Sequence, residues 1–217
     1  MKPFEIKDCA LLVRMSGLPP AINLRELRMR IGACSESVLI HHFCETLLRP
    51  TFDNPDYRND FAVWTKLYLG DRVLAERLGV IDPYAMRSVE ELRNVVLEIL
   101  EDRLSEESDV SSVSRGDEFY FLEATTVTFD TGDRITHPRE LAAAVRGMTN
   151  GSVYYHFLEA RRRLAGGTDD FSAWLQEEKE KYRKAIDALA SIDFYFYSLA
   201  ELRREIVQAV SAGKGKG

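Results

Sequence analysis

Apolar and polar positions alternate near the start of the chain. Phe4, Ile6, Ala10 and Leu12 stand on one side, against Glu5, Lys7 and their neighbours on the other. A period of two predicts a strand. A second strand is expected in FYFLEATTVTFDTG (119–132), rich in aromatic and β-branched residues and closed by a Thr-Gly-Asp turn. After each strand the spacing becomes helical. Asn23 precedes LRELRMRI and His137-Pro138 precedes RELAAAV, both of them helix starts. A second helix carries VLIHHFCETLLR (38–49) in one half and SVYYHFLEARRR (152–163) in the other. A third is expected over 61–78 and 171–189, and a fourth behind the capping boxes Ser88-x-x-Glu91 and Ser198-x-x-Glu201.

The two sets of elements read as copies. At a shift of 114 residues His42, Phe43, Glu45 and Arg49 fall on His156, Phe157, Glu159 and Arg163, and Arg25-Glu26-Leu27 falls on Arg139-Glu140-Leu141. At 115, Phe4, Asp8 and Gly17 fall on Phe119, Glu123 and Gly132; further on the shift shortens to 110 or 111, where Asp60-Phe61 and Trp64 meet Asp170-Phe171 and Trp174. The shortening falls where TFDNPDYRND is replaced by AGGTDD, as expected of a loop. The reading is an internal duplication of a ~100-residue unit, one strand followed by four helices. A lone strand leaves its backbone groups unpaired, so the two strands should pair antiparallel about a pseudo-twofold. The fold class is then α+β and mostly helical. The boundaries read as 1–104 for the first unit, 105–117 for a polar linker, 118–211 for the second unit and 212–217 for a disordered tail.

Composition narrows the function classes. A net charge of −6 and a pI near 5.4 argue against a nucleic acid or an anionic membrane as partner, although Arg161, Arg162 and Arg163 form a local basic run. The three cysteines Cys9, Cys34 and Cys44 show no metal or disulfide spacing and no match between the halves. With no leader-like start and no apolar run near the ~18 residues of a membrane span, a reducing cytoplasm is the expected location.

The repeated polar residues are the candidates for chemistry. On an α-helix His42, Glu45 and Arg49 share one face, as do His156, Glu159 and Arg163. Such a face could bind a divalent metal or work as a base with an orienting acid. It could equally be a polar seam between helix and strand, which is the preferred reading. Asp8 and Glu123 lie on the expected core side of the strands and need a partner there. The helix bearing His42 and Arg49, or His156 and Arg163, should supply it. Asp60 and Asp170 read as helix caps, with Phe61, Trp64, Phe171 and Trp174 facing the core, or as the rim and floor of a pocket. The aromatic run IDFYFYS (192–198) reads as a buried contact between units or in a homodimer. No catalytic residue, metal or cofactor is assigned, since no phosphate loop, nucleophile elbow or paired CxxC occurs.

The order strand, R-E-L, H-F-x-E, D-F-x-x-W and I-D resembles the prokaryotic DUF5752 family over nearly the whole chain. The first half, with FEIKDCALLVRMSGLPPAINLREL and YRNDFAVW, resembles it more closely, because Asp169 stands in the second half where Asn59 stands in the first. The resemblance implies a prokaryotic intracellular protein and no particular activity. The sequence therefore supports two functions. One is a non-catalytic adaptor or regulatory module that binds a protein or small ligand between two units. The alternative is an acid-base or metal-dependent enzyme built on the His-x-x-Glu faces.

Overall fold

The computed structural model describes residues 2–53, 56–106, 110–164 and 166–212. The fold is α+β, 57% helical, with one two-stranded antiparallel sheet formed by β1 (Phe4–Met15) and β2 (Leu122–Ile135). The helices between the strands are α1 (Leu24–Ala33), α2 (Glu36–Ile40), α3 (Asp60–Trp64), α4 (Arg72–Gly79) and α5 (Val89–Glu106). After β2 come α6 (Leu141–Gly147), α7 (Asn150–Val153), α8 (Ala160–Arg163), α9 (Asp170–Leu175), α10 (Lys179–Ala190) and α11 (Leu199–Ala212).

Two compact units result, and they do not follow the halves of the sequence. One holds residues 11–125; the other joins 1–10 to 126–217. The boundaries drawn from the sequence therefore shift. The physical reason lies in the aromatic anchors. Phe4 packs on His156, Phe171 and Trp174, with ring centroids 4.9, 5.5 and 5.4 Å away. Phe119 packs on His42, Phe61 and Trp64 at 4.9, 5.0 and 5.6 Å. Each strand start is thus buried by the helices of the other half. A fully buried Phe contributes about 1.5–3 kcal/mol, so each anchor holds its strand start in the unit that shelters it.

The segment expected as a free linker is also part of a unit. The Val113 N–H donates to the Ile22 carbonyl at 2.8 Å, Asn23 and Ser112 form an antiparallel bridge, and Trp64 Nε1 donates to the Asp117 carbonyl at 2.7 Å. Val110 and Val113 pack against the core. The tail beyond residue 212 lies outside the described residues.

In the 11–125 unit, Asn23 accepts the Glu26 N–H and starts α1, whose Leu24, Leu27 and Ile31 are buried at helical spacing. α1 packs along α5 and α3 along α4. Arg93 on α5 is itself buried and donates to the Ile31 carbonyl at 2.5 Å, closing the C-terminal end of α1. In the other unit α11 packs against α6 and α10, and Arg203 donates to the Met148 carbonyl just past the end of α6.

Two helices widen into π-turns at the repeated motif. α2 continues as a π-helix over His41–Glu45, and α7 continues as one over Tyr154–Glu159 into α8. A π-turn shifts the phase of the side chains relative to an α-helix. The common face expected for residues i, i+3 and i+7 is therefore not kept. The strands differ from expectation too. Phe4, Ile6 and Cys9 are buried, but Ala10 and Leu12 are exposed, and so is Val127 on β2. Burial is confined to Phe4, Ile6 and Cys9 on β1 and to Ile135 at the far end of β2, so the alternating pattern continues past the edge of the core.

Candidate functional site

His42 is fully buried and both of its ring nitrogens are used. Nδ1 lies 2.6 Å from Asp60 Oδ2, and the Leu122 N–H donates to Nε2 at 3.0 Å. A backbone N–H can only donate, so Nε2 is the acceptor and Nδ1 carries the proton given to Asp60. His156 repeats the arrangement in the other unit. Its Nδ1 lies 2.7 Å from Asp170 Oδ2, and the Lys7 N–H donates to Nε2 at 2.9 Å. Each histidine bolts a strand to a helix and takes its orientation from an aspartate on the next helix.

These carboxylates were expected to be helix caps. The caps are their neighbours instead. Asn59 accepts the Ala62 N–H at 2.9 Å while its amide donates to the Leu78 carbonyl, and Asp169 accepts the Ser172 N–H and hydroxyl, both at 2.8 Å. Capping by the preceding residue leaves Asp60 and Asp170 free to turn toward the histidines. The clue in the sequence was that His42 and Asp60, like His156 and Asp170, occur together in both halves. Trp64 and Trp174 lie in the core as expected, and their indoles donate to the carbonyls of Asp117 and Lys2 at 2.7 Å.

Glu45 is bonded to His41 Nδ1 at 3.0 Å, buried, and Glu159 pairs with Arg162 at 2.8 Å. Arg49 is exposed. Arg163 lies at the surface, donates to Asp170 Oδ2 at 2.9 Å and sits 4.3 Å over the Tyr155 ring. Asp8 and Glu123 do meet the expected helices, though at their starts and without the expected partners. Asp8 lies against Gly151 on α7, where a Cβ would run into its carboxylate and the Cys9 carbonyl. Glu123 accepts the hydroxyl of Ser35, which precedes α2, at 3.1 Å and pairs with Arg14 at 2.7 Å. From the aromatic run 192–198, Phe194 is buried within its own unit, against Phe157 and beside the Arg161 guanidinium.

The electrostatics follow from burial. Burial pushes the His42 pKa below its ordinary value, and Asp60 opposes the shift only in part. Burial likewise raises the Asp169 carboxyl, against the Ser172 N–H and hydroxyl and the nearby Arg161. The buried Cys34 thiol is pushed up despite Arg93 beside it, so it is a poor nucleophile at neutral pH. Cys9 and Cys44 are buried as well. Among the described residues no three His, Cys, Asp or Glu side chains are grouped to hold a metal ion. A cavity of about 330 Å³ in the second unit is lined by Thr136, His137, Pro138, Arg139, Glu178, Lys181 and Tyr182, with neither histidine–aspartate pair on its wall.

No helix among the described residues is long and apolar enough to cross a membrane. No curated protein matches the chain. The structure of OrfY from Thermoproteus tenax is similar, with a TM-score of 0.82 and 32% identity over 98% of this chain and 96% of that one. The model of a family of unknown function, DUF5752, matches residues 1–211. On that match over nearly its whole length, the chain belongs to the DUF5752 family.

Proposed function

We propose that the protein is a non-catalytic adaptor or regulatory module that acts by binding a protein or small ligand. One observation carries the reading. Both nitrogens of His42 and of His156 are hydrogen-bonded inside the protein, and the rings are 0% and 2% exposed. A general base must reach a substrate proton, and a metal ligand needs a free lone pair. Neither ring offers one. The alternative enzyme would need its acid-base pair or metal on these same residues, and they are already spent on holding strands.

The two units are proposed to be copies of one ancestral unit, because matched residues make matched bonds: His to Asp, His to a strand N–H, and Trp to a backbone carbonyl. A prokaryotic cytoplasm is the proposed location, supported by an odd number of cysteines with no disulfide spacing in the sequence.

Elemental analysis of the purified protein tests the reading. The expected result is no stoichiometric transition metal, before or after His156→Ala. Stoichiometric Zn, Mn or Fe that disappears in His156→Ala would establish the metal-dependent alternative.

A further inference from the structure

His42 cannot take up a second proton without losing a bond. Its Nδ1–H is given to Asp60, and the only other site for a proton, Nε2, faces the Leu122 N–H. Protonation there would set two donors against each other at 3.0 Å. The groups around the ring do not relieve this. Asp60 comes from α3, and His41 and Glu45 come from its own helix, where they already bond one another; the rings of Phe61 and Phe119 close the site at 5.3 and 4.9 Å. From the strand side come the Leu122 backbone and, one residue on, Glu123, whose carboxylate is committed to Arg14 and Ser35. The four titratable side chains His41, His42, Glu45 and Asp60 are all nearly inaccessible to water.

We propose that His42 is an acid-operated latch on the entry to β2. A second proton on the ring releases the Leu122 N–H and loosens the strand there. The neighbouring fastenings are the Ser16 N–H to the Phe121 carbonyl, the paired bonds of Ala21 and Phe119, and the Trp64 indole on Asp117. None of them involves a group that titrates between pH 5 and 7, so they hold while the latch opens. The event is therefore local.

The size of the effect follows from one proton. In the open form the imidazole returns to the ordinary histidine value near 6.5, whereas burial holds the closed form lower. Between those two values each unit fall in pH favours the open form by about tenfold. Above the open-form value the latch is fully closed.

Amide hydrogen exchange by NMR on the full chain, corrected for the intrinsic pH dependence of exchange, reads this directly. Leu122 is expected to lose about tenfold of its protection per pH unit below roughly 6.5, while the core amides of Leu27 and Val96 stay constant. His42→Gln, which keeps an acceptor and cannot titrate, is expected to give a flat profile. The imidazole chemical shifts of wild-type His42, followed through the same range, give a readout that survives if that variant fails to fold. Constant Leu122 protection from pH 7 to 4.5, or a loss shared with Leu27 and Val96, would overturn the proposal. So would a pH dependence that persists in His42→Gln.

Discussion

The two histidine–aspartate pairs make the same bonds in different surroundings. Asp60 is 4% exposed and, beside it, the buried His41–Glu45 pair fills the widened turn. Asp170 is 17% exposed, and its oxygen is shared by His156 and by Arg163 from the surface. Tyr155 stands where the first motif has His41, and Glu159 turns to Arg162 where Glu45 turns inward. The caps differ in the same sense. Asn59 satisfies a carbonyl and an N–H without charge, while Asp169 carries a carboxylate into a buried place beside Arg161. One scaffold of hydrogen bonds thus tolerates two ways of handling charge, with an asparagine and histidines around the first site and arginines beside the carboxylates of the second. What the two sites share is geometry; what they do not share is ionic support.

The sharpest way to break the comparison is to remove each aspartate. Asp60→Ala leaves a buried Nδ1–H without an acceptor and should destabilise by about 3 kcal/mol. Asp170→Ala should lose about half of that, because water reaches the site. Urea unfolding measures both, and equal losses would remove the distinction between the sites. Next in size is Asn59→Asp, which sets a carboxylate oxygen against the Leu78 carbonyl and should cost about 2 kcal/mol by the same measurement. Gly151→Ala should cost roughly 1–3 kcal/mol, since the new methyl meets backbone and cannot be relieved by a rotamer change. Its counterpart in the other half is the exposed Ser37, where alanine should change stability by less than about 0.5 kcal/mol.

One small effect has the opposite sign. Because the Asp169 carboxyl is raised in the folded protein, its contribution to stability is full below the unfolded-state value near 3.8 and is lost as pH rises through the folded value. Asp169→Asn removes that loss. Its melting temperature at pH 7 should rise by about 1–3 °C, and the gain should vanish near pH 3. A variant that melts lower at pH 7 would show that Arg161 needs the charge more than burial opposes it.

Much of this was legible from local chemistry. The Asn23 cap and the two Ser-x-x-Glu boxes form where the sequence places them, because capping depends on residues three apart. The paired antiparallel strands followed from the need to satisfy backbone groups. Two things were not legible. The π-turns cannot be read from apolar spacing that suits an α-helix equally well, and they decide which neighbour Glu45 and His42 meet. The exchange of strand starts is a long-range choice between two chemically equivalent sets of aromatic partners, and periodicity carries no information about it. Asp60 and Asp170 read as caps in the sequence for a related reason. A cap signal is local, while their histidine partners lie 18 and 14 residues away.

The exchanged strand starts bear on how the chain is made. Phe4 and Ile6 emerge from the ribosome early, but the Phe171 and Trp174 that shelter Phe4 are roughly 170 residues behind. At ~5–20 residues per second that is a wait of about ten to thirty seconds. Meanwhile the 11–125 unit holds every one of its parts and is free to fold. The molecule should therefore assemble from its middle outward, with its first ten residues among the last to find their place. A chaperone acting during synthesis would meet Phe4 and Ile6 as an unsheltered apolar segment throughout that interval.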